Sequence, residues 1–79
     1  MALEIISLTP KGEALSHSVR RTNSPDWKVV YGWRTIYFTK QMGGRTSFEK
    51  ICSMIFGGNE RNTKSVISLL KSKNIVTGD

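Results

Sequence analysis

The chain opens on a short β-branched run, Leu3-Glu4-Ile5-Ile6-Ser7-Leu8, bounded by Thr9-Pro10, and this pattern predicts a strand. Thr9 is a good helix cap and Pro10 suits a first helical position, so a helix is expected from there to about Arg21. That helix carries few apolar residues (Ala14, Leu15, Val19), and Gly12 weakens it. Thr22-Asn23-Ser24 reads as a connector. Ser24 as cap, Pro25 as first residue and Asp26 near the positive dipole end predict a second helix, running to about Met42 and stopped by Gly43-Gly44.

At about 100° per residue, Trp27, Val30, Tyr31, Tyr37, Phe38 and Met42 fall on one stripe of this second helix. Val29, Trp33 and Ile36 fall on another, roughly opposite. A helix apolar on two faces is buried on two faces. Either it is the central element, sandwiched between the first helix and those that follow, or its second face meets another chain. In the latter case a symmetric homodimer through Val29, Trp33 and Ile36 is the expected partner.

Thr46-Ser47-Phe48-Glu49 fits a capping box, with Thr46 as cap and Glu49 three residues on. The short helix behind it presents Phe48, Ile51, Cys52 and Ile55 on one face and breaks at Phe56-Gly57-Gly58. Asn59 caps a last helix through Lys73, with Val66, Leu69 and Leu70 inward. Asn74 then accepts the left-handed C-cap conformation, and Ile75-Val76-Thr77 has β character. The expected fold is a single domain over residues 1–79: mainly α, three to four helices with a short two-stranded sheet. Its core is expected to hold Trp27, Tyr31, Phe38, Phe48, Ile51, Cys52, Ile55, Val66, Leu69 and Leu70.

Charge sharpens this picture. Twelve Lys and Arg stand against six acids, a net charge of +6. Residues 1–19 hold Lys11 against Glu4 and Glu13, so the excess lies further along the chain. Such a balance favours an anionic partner, nucleic acid before a membrane surface. The start has no basic n-region, and no apolar stretch approaches the ~20 residues needed to span a bilayer. With one cysteine and no membrane segment, the chain reads as cytoplasmic and without a disulfide framework.

A capped helix, a glycine turn and a second amphipathic helix form a helix-turn-helix candidate over residues 46–73. Cys52 is the small residue that lets the two helices cross closely, and Gly57 and Gly58 supply the turn. On the last helix, Arg61, Lys64, Ser65, Ser68, Lys71 and Ser72 share an outer face with no acid among them. Small hydroxyls between cations permit close backbone approach to phosphates and base edges.

The stretch Phe48-Glu49-Lys50-Ile51-Cys52…Val66-Ile67-Ser68-Leu69-Leu70-Lys71-Ser72-Lys73-Asn74-Ile75-Val76 resembles the winged helix-turn-helix superfamily of DNA-binding domains, in particular small regulators of prokaryotic and archaeal type. In that pattern an Ile-Ala pair sits in the second helix, and the third ends in Leu-x-x-x-Gly-Leu-Ile leading into the wing; Asn74 stands here at the Gly position. Ile6-Ser7-Leu8-Thr9-Pro10-Lys11-Gly12-Glu13-Ala14-Leu15 is similar to the strand and helix that close the wing in many of these regulators, but here it precedes the helix-turn-helix. Either the strand at 3–8 pairs with 75–77, or the chain is one module from a tandem array.

The resemblance implies binding of double-stranded DNA, sequence-specific or architectural, in transcriptional regulation. Arg61, Asn62, Lys64, Ser65 and Ser68 would face bases and phosphates, with Lys71, Arg45 and the helix start at Thr46-Ser47 holding the backbone. The rival reading is a winged-helix interaction module whose basic face binds an acidic protein. Catalysis is not expected. Cys52 lies on an apolar stripe, and His17 is alone on a polar face. Neither glycine turn has the Gly-Lys-Ser/Thr ending of a phosphate loop, and nothing suggests a metal or cofactor. Membrane binding would need large apolar residues beside the basic face.

Overall fold

A computed structural model describes residues 4–17 and 26–78. The elements are β1 (Ile5–Leu8), α1 (Pro10–His17), α2 (Trp27–Gln41), β2 (Arg45–Ser47), α3 (Phe48–Ile55), α4 (Glu60–Ser72) and β3 (Val76–Gly78). The domain is mainly helical, with a small antiparallel sheet. That sheet has three strands rather than the expected two, in the order β2-β1-β3. β1 pairs Ser7 with Thr77 on one side, as one of the two sequence alternatives required, and Ile6 with Thr46 on the other. The extra strand is too short to show a period of its own.

Local chemistry sets most boundaries. The Thr9 hydroxyl accepts the Gly12 N–H at 3.0 Å and so caps α1. The single proton of that hydroxyl is shared between the carbonyls of Asn74 (2.6 Å) and Ile75 (3.0 Å), tying the start of α1 to the end of α4. The expected run of α1 to Arg21 and the Ser24-Pro25 start of α2 lie outside the described residues. Within them, Asp26 is the cap of α2, accepting the Lys28 N–H at 2.9 Å. Asn59 caps α4 as expected. At the other end of α4 the Asn74 N–H donates to Lys71 and the Ile75 N–H to Leu70, with Asn74 at φ 59°. This is a Schellman closure, and Asn tolerates its left-handed position.

The core is β-branched more than aromatic: Ile6, Ile36, Ile51, Val66, Ile67 and Val76 are all buried. α2 is the central element, packed by α1, α3, α4 and β1. Its buried face is Gly32, Thr35, Ile36 and Thr39, centred between the two stripes of the sequence reading. Small residues there let several elements approach α2 closely, and the aromatic side chains flank that strip. Tyr31, Phe38, Phe48 and Ile55 are accordingly half-buried, and Trp27 is 40% exposed, contrary to its expected place in the core. Buried threonine hydroxyls satisfy themselves on their own helices: Thr35 donates to Tyr31, Thr39 to Thr35 and Thr63 to Asn59.

α4 is also rotated slightly from its expected phase. Ile67 is buried and Leu69 only half-buried, while Val66 and Leu70 face inward. Leu70 is 4% exposed, so Leu70→Ala should destabilise the domain by about 2–5 kcal/mol, measured by urea unfolding. On the surface, the Lys40 ammonium, 2.7 Å from Glu13, holds that carboxyl below its usual range and links α1 to α2. Stability from this pair is present above the normal carboxyl range and lost as pH falls through the lowered value.

Candidate nucleic-acid interface

The α3–turn–α4 unit is built as the sequence suggests. The Ser47 hydroxyl caps α3 by accepting the Lys50 N–H at 3.1 Å. The expected Thr46–Glu49 capping box is therefore not formed: Thr46 is taken up in β2, and Ser47 acts as a simple cap with Lys50, not an acid, three residues on. Phe56 ends α3, and Gly57 (φ 61°) and Gly58 (φ 90°) make the turn, with the Gly58 N–H donating to the Cys52 carbonyl. Both torsions are left-handed, where a Cβ is strained. Cys52 is buried, with its thiol free. The Tyr31 ring packs on Phe56, and the Arg34 guanidinium lies over the same Tyr31 ring, 5.1 Å from its centre.

The structure gathers part of the predicted site on one surface. Arg61, Lys64 and Ser68 are exposed on α4, with Ser65 and Asn62 half-buried beside them. Among the described residues no salt bridge engages Arg61 or Lys64. Glu60 lies one turn ahead of Lys64, so the face is not acid-free at its start. Lys71 is exposed too, but its ammonium is 2.6 Å from Glu4 Oε2, a pair joining α4 to the residue before β1.

The other predicted residues stand apart. Arg45 is exposed on β2, which lies at the far side of β1 from β3. The Ser47 hydroxyl is engaged as the α3 cap. Thr46, 7% exposed, turns its hydroxyl inward, where it has no hydrogen-bond partner and offers nothing to a ligand at the surface. Replacing it with a similarly shaped methyl, Thr46→Val, should stabilise the domain by roughly 1 kcal/mol in a thermal melt, since an unpaired buried hydroxyl carries its full desolvation cost.

A second feature was not legible in advance. An apolar groove of about 240 Å³ lies between α2 and α4, with Gly32 in its wall and Lys28 and Lys73 among its lining. Val29 and Trp33 line it half-buried, whereas Ile36, 2% exposed, belongs to the core. The proposed dimer surface is therefore a concave groove, partly covered, rather than an open patch. A glycine between Val29 and Trp33 in mid-helix was the available sign of missing side-chain volume.

The chain matches no protein-family model, no curated protein and no solved structure. Among the described residues no helix is long and apolar enough to cross a membrane.

Proposed function

We propose that this domain binds double-stranded DNA as a winged-helix-like regulator or architectural factor, with α4 lying in the major groove. The observation that carries the reading is the exposed face of Arg61, Lys64 and Ser68, held outward by a capped helix and a left-handed glycine turn. The antiparallel pairing of β1 with β3 adds support. It sets beside β3, the strand that follows α4, the strand that resembles the closing strand of a wing, although that strand precedes α4 in the chain. Arg61 and Ser65, near the start of α4, would reach base edges; Lys64 would act on phosphates. Such a protein would work in the cytoplasm, alone or as a pair.

A gel-shift against random duplex DNA at two salt concentrations tests the reading, because phosphate contacts give binding a steep salt dependence. The Glu4–Lys71 pair adds a second test. Glu4→Gln frees the Lys71 ammonium and removes an acid beside α4. DNA affinity should rise and the log–log salt slope steepen by up to about one unit if Lys71 then reaches a phosphate. An unchanged slope would remove Lys71 from the interface. Failure of both duplex experiments, with the chain folded, would leave an acidic protein as the partner of this face.

A further inference from the structure

The groove between α2 and α4 is apolar wherever it is not lysine. Val29, Trp33, Ile36 and Leu70 form its walls, and among the described residues Lys28 and Lys73 are the only charged ones that line it. A Cβ on Gly32 would make an ordinary 3.6 Å contact with Leu70 Cδ2, so the glycine sets the two helices close together at the floor of the groove without a void. Neither lysine is in a salt bridge among the described residues. Lys28 rests its ammonium 5.8 Å from the Trp27 ring centre, a weak contact that a carboxylate would outcompete.

From this arrangement we infer that the groove binds a small organic carboxylate with an apolar body. The hydrocarbon lies along Trp33 and Gly32, and the carboxylate is held by Lys28 and Lys73. The volume, about 240 Å³, is below the roughly 300–1,000 Å³ of drug-sized pockets, which limits the ligand to one short chain or ring. Both signs of recognition are required: the walls exclude a hydrated inorganic anion, and two ammonium groups discriminate against an uncharged alcohol. The inference does not depend on what α4 contacts.

The test is a titration of the full chain with octanoate. Trp27→Phe leaves Trp33 as the only tryptophan, and its fluorescence reports the groove directly. Octanoate should produce a saturable change, at an affinity at least about tenfold above those of octanol and acetate. Lys28→Gln with Lys73→Gln should weaken octanoate about tenfold and leave octanol unchanged. Circular dichroism should show both proteins equally folded, since both lysines are exposed. Octanol binding as tightly as octanoate would overturn the inference, as would a folded protein that never saturates. So would a groove already filled by a second copy, seen as a Trp33 signal that follows protein concentration and a dimer in sedimentation that octanoate does not compete away.

Discussion

Gly12→Ala should cost the domain roughly 3 kcal/mol or more, a large share of the stability of a small fold, with a lowered urea midpoint as the readout. The expectation runs against helix propensity, which favours alanine over a mid-helix glycine by about 1 kcal/mol. The reason is the approach of α1 to the turn after α4. A Cβ at Gly12 would lie 2.1 Å from the Ile75 carbonyl oxygen, which is backbone and cannot swing aside. The same oxygen accepts the Thr9 N–H at 3.0 Å, so any retreat of α1 also loosens its cap. Gly32→Ala is the control. Its new methyl would make an ordinary 3.6 Å contact, and it should stabilise by about 0.5–1 kcal/mol. If both substitutions stabilise, the close docking of α1 is wrong.

Lys64→Glu should abolish duplex binding while leaving the unfolding curve nearly in place. Lys64 is exposed and in no salt bridge among the described residues, so the fold loses nothing when its charge reverses. A like charge one turn from Glu60 costs only about 0.2–0.5 kcal/mol. At a DNA surface the same reversal removes one phosphate contact, worth about 0.9 in the log–log salt slope, and adds repulsion. Arg61→Ala should behave differently, altering preference among sequences more than overall affinity. A folded Lys64→Glu protein that binds DNA as tightly as its parent would exclude α4 as the recognition element.

The helices of the second half were legible because each boundary has a local chemical cause. Asn59, Gly57-Gly58 and Asn74 fix the ends of α3 and α4 by caps and torsions that depend on few neighbours. Strand β2 was not legible. Three residues carry no period, and Thr46 reads equally well as a helix cap until β1 arrives beside it. The phase of α2 failed for a related reason. Large aromatic side chains were taken as the centre of the buried face, whereas a helix packed from several sides needs its smallest residues there, and Gly32, Thr35 and Thr39 fill that role. The outward face of α4 could be projected from the sequence, but the Glu4–Lys71 pair could not, because it depends on which strand β1 chooses.

That choice has a consequence for the order of events during synthesis. β1 occupies the middle of the sheet, and the bonds of Thr9, which follows it, span 65 and 66 positions of the chain. Helices α2 to α4 are joined by short connections and can assemble as they are made, whereas β1 emerges first and must wait, unpaired on one edge, until β3 exists. At synthesis rates of about 5–20 residues per second, that wait lasts several seconds. A nascent chain stalled before Val76 should therefore hold a protected helical cluster with β1 protected only on its β2 edge, where the Leu8 N–H donates to the Gly44 carbonyl, while protection of the Ser7 and Thr9 N–H groups, which face the β3 side, appears only on release. Pulse-labelling hydrogen exchange on stalled and released chains would show whether the sheet closes last.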